Sequence, residues 1–327
     1  MRRPRFLLLL PLLLAAACGA TTGSDRPDTE PSLLLDSAPN GVHAGIYLAR
    51  GRGYDTAEGV RLRIRKPGAS TDAPRLLEGG RVDLAILGIH DLGLARERGA
   101  DLVGVMALVQ RPLGAVLAQP GVRSPRELEG GRVGVTGLPS DRAVLRSVVR
   151  GAGGDPRRVR ETRIGSEAVR ALLARRVDGV TAFWNVEGVA ARARRPGISE
   201  FRVDEFGAPA FPELVLCVTR ATLEDRRDEI EAVIRALQRG YVETQFDPES
   251  AVSAIVARER AVGQAALAAQ LDAVAPAFTA GVPAYGLLER DRLEAWARWD
   301  VEFGVLRRRP DVGRAFDTGL VGPAVER

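Results

Sequence analysis

Residues 82–98, VDLAILGIHDLGLARER, contain one complete unit of the fold. Val82–Leu87 is a compact apolar run, and Asp91–Arg98 follows with helical spacing. A short buried strand feeding directly into a helix is the repeating unit of α/β architectures. The unit recurs on the N-terminal side. Leu33–Leu35 reads as a strand, His43–Arg52 as a helix, Val60–Arg65 as a strand and Pro74–Glu78 as a helical turn. Leu102–Val109 and Gly114–Ala118 are further strands. Ser124-Pro125-Arg126-Glu127 forms a helix-start signal with proline at the first helical position.

Beyond it, strands Arg132–Thr136, Val159–Ile164 and Gly179–Phe183 alternate with helices Ser140–Arg150, Glu167–Arg175 and Val186–Arg195. Phe201–Val203 and Glu213–Thr219 complete the strands. After Thr222 the pattern is helical: 223–246, 248–260, 263–275 and 287–303, with Trp296 and Trp299 read as packing anchors on the last. The alternation predicts an α/β fold with largely parallel sheets.

The chain divides into two α/β lobes. It leaves the first near Arg111-Pro112 and returns near Phe211-Pro212, so residues 32–112 plus 213–327 form lobe 1 and residues 113–212 form lobe 2. Two crossings make a hinge with a cleft between the lobes.

Residues 1–17 read as an export signal. Arg2, Arg3 and Arg5 precede the apolar run Phe6–Leu14, and Ala15–Ala17 lead into Cys18. Small residues ending in cysteine resemble the bacterial lipobox, with Cys18 as the acylated residue. An ordinary cleaved signal with an incidental cysteine is the alternative. Residues 18–31, rich in Gly, Thr, Ser, Asp and Pro, read as a flexible tether.

Without the signal, 44 basic residues face 42 acidic ones, so the net charge falls from +5 to about +2. That balance leaves no electrostatic footprint for nucleic acid. Lys66 is the only lysine. With Cys18 lipidated, Cys217 has no disulfide partner and reads as a small buried hydrophobe. Two histidines and one remaining cysteine give no metal-ligand spacing, and no Walker loop, G-x-S-x-G elbow or H-E-x-x-H occurs.

Five stretches carry a resemblance. They are LDSAPNGVHAGIYLARGRGY (35–54), STDAPRLLEGGRVDLA (70–85), VQRPL (109–113), GLPSD (137–141) and AFWNVEGV (182–189). In order and spacing the chain resembles the substrate-binding proteins of bacterial ABC transporters, with the type II periplasmic-binding-protein fold. It is most similar to the branch that captures thiamine pyrimidine precursors, which is related in fold to the eukaryotic pyrimidine synthase. The resemblance implies a lipid-anchored, extracytoplasmic, monomeric receptor without a cofactor. Such a receptor closes on a small heterocycle and delivers it to a membrane permease driven by an ATPase.

Strand-end loops of both lobes are expected to line the cleft. Trp184, Asn185 and Glu187 form the leading candidate cluster: Trp184 to stack on a flat ring, Glu187 to accept from a ring amino group. The alternative is a core tryptophan and a helix-capping carboxylate. Asp36, Asn40 and His43 match the family's first loop, and His90 lies in the next one. Asn40 reads equally well as a turn residue, and His43 as a structural residue at the helix start. Ser70 and Thr71, with Asp72, and Ser140, with Asp141, precede helices and read as caps or as ligand contacts.

Ser37 departs from the pattern, since relatives commonly place an aromatic residue after the first-strand aspartate. The synthase's cysteine-rich motif and cofactor-bearing lysine have no counterpart, so a binding protein rather than an enzyme is expected. A receptor for a sulfonate, nitrate or another small anion is the same-fold alternative. A pyridoxal-dependent synthase and a sensor subunit are the remaining ones.

Overall fold

The computed structural model describes residues 29–68, 71–259 and 263–322. The proposed signal, most of the tether, Cys18 and Ser70 lie outside the described residues.

Strands β1 (Ser32–Leu34), β2 (Arg63–Arg65), β3 (Leu84–Gly88), β4 (Leu102–Ala107) and β10 (Leu214–Thr219) form the lobe 1 sheet in the order β2-β1-β3-β10-β4. Strands β5 (Gly114–Ala118), β6 (Arg132–Val135), β7 (Arg160–Arg163), β8 (Gly179–Phe183) and β9 (Ser199–Arg202) form the lobe 2 sheet in the order β7-β6-β8-β5-β9. Leu33 of β1 pairs in parallel with Ile64 on one side and Leu84 on the other. Every residue of β4 and β5 is buried, because helices and loops cover both faces. The sequences RIR in β2 and RETR in β7 keep charged, exposed side chains on one edge of each sheet. The opposite edge of lobe 1, β4, is covered by the C-terminal segment, where Asp317 N donates to Gly104 O at 3.0 Å.

The expected largely parallel sheets require a correction at one strand in each lobe. In lobe 1, β10 runs antiparallel to both neighbours, with Val215 opposite Leu87 and Ala107. In lobe 2, β5 runs antiparallel to both neighbours, with Ala115 opposite Ala182 and Arg202. These are the first strands after the two crossings. A strand arriving from the other lobe enters at the cleft end, where its parallel neighbours leave. It therefore needs no helical crossover and runs against them.

Helices α1 (Ala44–Arg52), α2 (Ile89–Glu97), α3 (Asp141–Gly151), α4 (Val189–Arg194), α5 (Arg227–Phe246), α6 (Gln264–Val274) and α7 (Arg290–Glu302) supply the main outer layers. A Cβ on Gly240 of α5 would lie 2.2 Å from the Gly45 carbonyl of α1, so the two helices meet nearly backbone to backbone. The start signal at Ser124 yields a single 3₁₀ turn, Pro125–Leu128, rather than a helix. Gly130, at φ 77°, turns the chain away before a second turn can form.

Trp296 and Trp299 are buried anchors, as their spacing implies. Trp299 reaches across the lobes and donates to Ser147 Oγ of α3 at 3.3 Å. Arg150 of α3 and Glu302 of α7 add an ion pair of 3.2 Å to the same junction. On the other side, α6 packs against the turn and helix that follow β8.

Candidate functional site

The cleft face of lobe 2 contains a cavity of about 380 Å³ at the carboxyl ends of β6 and β8. Apolar walls come from Leu138, Val144, Ala168, Ala182 and Phe183, and hydroxyls from Thr136, Ser140, Ser166 and Thr181. The ionisable side chains among its lining residues are Asp141 and Glu187. Leu138 is 45% exposed at the rim, unusual for a leucine with an available core. A larger depression of about 550 Å³ borders Arg96, Arg308 and Arg314. It lies at the C-terminal end of α2 and the amino end of β4, away from the carboxyl ends of the strands.

Glu187 takes its place because β8 ends in a π-helical turn, Trp184–Gly188. The wider turn brings its carboxylate back to accept from Phe183 N at 3.2 Å while the side chain faces the cavity. Burial raises its pKa, against the lowering effect of the hydrogen bonds that it accepts from the backbone. Ser140 lines the same cavity, and its hydroxyl makes no cap bond to α3. These two of the expected residues share one site.

Trp184 does not share it, which corrects the stacking role expected for it. The side chain is 1% exposed, and its indole donates to Pro112 O at 3.0 Å. The Arg202 guanidinium lies over its ring at 4.0 Å. Trp184 therefore packs at the hinge, beneath the first crossing, and has no free face for a ligand. Phe183, the last residue of β8, lines the cavity together with Thr181 and Ala182. Phe183 is the aromatic wall that sequence reasoning missed, and its place at the carboxyl end of β8 was the signal that could have located it. Asn185 is also buried, with its Oδ1 lacking a hydrogen-bond partner, and it does not line the cavity.

The first-loop residues of lobe 1 form a separate cluster. Asn40 caps the 3₁₀ turn Gly41–His43: its Oδ1 accepts from Val42 N at 2.9 Å and its Nδ2 donates to Ser37 Oγ and Ala38 O. The His43 Nδ1 accepts from Asn40 N at 3.1 Å, which leaves Nε2 as the donor to Asp36 Oδ1 at 2.8 Å. Asn40 is thus a turn residue with its polar atoms engaged, and His43 a positioning residue for Asp36. The Asp36 carboxylate, 20% exposed, is the member that keeps access to solvent. Its pKa is lowered: burial opposes ionisation, and the His43 contact outweighs it. Burial raises the carboxyl of nearby Asp91, and the charges of Asp36 and Asp72 add to the effect.

Thr71 holds its own loop, accepting from Gly68 N at 2.7 Å, and Asp72 caps the next helix by accepting from Arg75 N at 3.2 Å. His90 is not a cleft residue, contrary to expectation. It is buried with Nδ1 2.7 Å from Asp300 Oδ1 and Nε2 3.8 Å from Glu213 Oε1, edge-on to Phe211. Glu213 in turn accepts from Leu113 N at 2.9 Å, joining the return crossing to the outward one.

Similar proteins agree with this architecture. A formylaminopyrimidine-binding protein of Halalkalibacterium halodurans is 32% identical over 77% of this chain and 78% of its own. A 4-amino-5-hydroxymethyl-2-methylpyrimidine phosphate synthase of Legionella pneumophila is 25% identical over 67% of this chain and 71% of its own. The periplasmic aliphatic sulphonate binding protein of Escherichia coli superposes with a TM-score of 0.70 over 88% of this chain and 91% of its own, at 16% identity. Two α/β lobes joined by two crossings are the periplasmic-binding-protein fold, as the likeness to the sulphonate binder shows. With residues 40–251 matching its pattern, the chain belongs to the NMT1/THI5-like family.

Proposed function

We propose that the protein is the extracytoplasmic solute receptor of an ABC importer, held to the membrane through a lipid on Cys18, and that its ligand is an aminopyrimidine precursor of thiamine. The lobe 2 cavity carries the proposal. It joins an aromatic wall (Phe183), an aliphatic rim (Leu138), four hydroxyls and the Glu187 carboxylate, with no basic side chain among the described residues that line it. Such walls fit a flat, uncharged ring that donates hydrogen bonds from an amino group. Glu187 accepts the amine, Phe183 and Leu138 cover the ring, and Ser140 serves its polar edge. Asp36 of lobe 1 completes the contacts when the lobes close, which ties ligand binding to closure. The similarity to a formylaminopyrimidine-binding protein supports the same ligand class.

Binding rather than synthesis is supported by the placement of Lys66. Its Nζ pairs with Glu259 Oε2 at 2.6 Å on an exposed surface, and it is not part of the cavity. The receptor works as a monomer alongside a permease and its ATPase, with residues 18–31 as the tether.

Calorimetric titration of the mature chain with a formylaminopyrimidine tests the reading. Binding in the micromolar range or tighter is expected, and Glu187→Gln should weaken it at least tenfold. A chain that gives no heat with any aminopyrimidine refutes the ligand assignment.

A further inference from the structure

Helix N-termini attract anions, and α3 opens onto the cavity. Its first residue, Asp141, turns its own carboxylate into the preceding loop. Oδ2 accepts from Gly137 N at 2.6 Å, Leu138 N at 3.0 Å and the Thr136 hydroxyl at 2.9 Å. Oδ1 accepts from the Thr181 hydroxyl at 2.9 Å. Gly137 sits at φ 108°, a conformation that favours glycine and that lets two successive amides point at one carboxylate. Four donors of two elements thus converge on a single anionic group that belongs to the protein.

We infer that Asp141 is a specificity-determining residue: it occupies the anion nest of lobe 2 from within and so makes the cavity reject sulfonates, phosphates and phosphate esters. The two loop amides and the two threonine hydroxyls that would receive an oxyanion are already engaged, and the carboxylates of Asp141 and Glu187 repel it. Arg163 of β7 packs against Gly137 but does not line the cavity. The inference rests on the reading of this cavity as the ligand site, and it narrows the ligand to the unphosphorylated form of the heterocycle.

The test uses the mature chain and its Asp141→Asn and Asp141→Ala variants. Each is titrated with methanesulfonate, methyl phosphate, an aminopyrimidine and the phosphate ester of that aminopyrimidine. The wild type should bind the aminopyrimidine at least a hundredfold tighter than its ester, and methanesulfonate no tighter than millimolar. Asp141→Ala frees the two amides, and its affinity for methanesulfonate should rise at least tenfold. Asp141→Asn keeps the loop, because its Oδ1 can accept both amides while Nδ2 donates to Thr181. It removes only the charge, and its affinity for the ester should rise by several-fold. If Asp141→Ala does not fold, the Asn variant and the wild-type preference decide.

Wild-type protein that binds the ester as tightly as the aminopyrimidine overturns the inference. So does a folded Asn variant with no gain for either anion. Wild-type protein that binds no aminopyrimidine refutes the ligand assignment instead, and the methanesulfonate titrations still decide the role of Asp141.

Discussion

Burial alone would hold His90 neutral, but Asp300 at 2.7 Å and Glu213 at 3.8 Å outweigh it and push the imidazole pKa up to about 9. Its ordinary value is 6.5. A folded-state pKa above the unfolded one adds stability that is full below about pH 6.5 and is lost as pH rises through about 9. Calorimetric melting temperatures should therefore fall across that interval. His90→Gln, which leaves Asp300 buried without its partner, should cost about 3–5 kcal/mol at pH 6 and remove most of the slope. A wild-type melting temperature that stays level across the interval contradicts the charged imidazole.

Phe183 and Trp184 give the second test at this scale. Trp184→Ala should destabilise the fold by about 3–5 kcal/mol, with ligand affinity of the folded fraction changing less than tenfold. Phe183→Ala should show the reverse balance, with a smaller loss of stability and at least tenfold weaker binding. Chemical denaturation paired with titration of each variant separates the two. Equal affinity losses would return Trp184 to the site.

The elements were largely legible because apolar runs bounded by glycine and proline are strong local signals. Gly114–Ala118 and Gly179–Phe183 match their expected spans residue for residue. Strand direction was not legible, since β5 and β10 take theirs from the lobe they arrive from rather than from their own residues. The π-helical turn was equally hidden. Trp184, Asn185 and Glu187 lie within four residues, yet the turn buries the first two away from the cavity and brings only Glu187 into it. From sequence Asp141 reads as cap or contact, whereas its carboxylate serves the loop before it.

Helix contact makes a further prediction at this scale. Gly240→Ala would place a methyl group against the Gly45 carbonyl. It should cost about 1–3 kcal/mol, although alanine is the better helix former. Thermal melting that finds Gly240→Ala more stable than the wild type would mean that α1 and α5 sit further apart.

At the scale of the whole molecule, two separate lobe-to-lobe junctions flank the hinge: Trp299 with Ser147, and α6 against the turn after β8. Ligand that completes the closed state should slow amide hydrogen exchange at both junctions together, by at least tenfold, while the charged edge strands β2 and β7 exchange as before. Slowing confined to one junction would indicate that the lobes twist rather than close.

The position of β10 between β3 and β4 in the lobe 1 sheet also sets an order of assembly. During synthesis the strands of lobe 2 leave the ribosome before Leu214–Thr219, and lobe 2 needs no later strand to complete its sheet. Lobe 1 emerges first, but β3 and β4 have no bridge between them until β10 arrives. The half of the protein that is translated first is therefore the last to become native. A chain that crosses a membrane N-terminus first keeps that half pliable until more than 200 residues have passed.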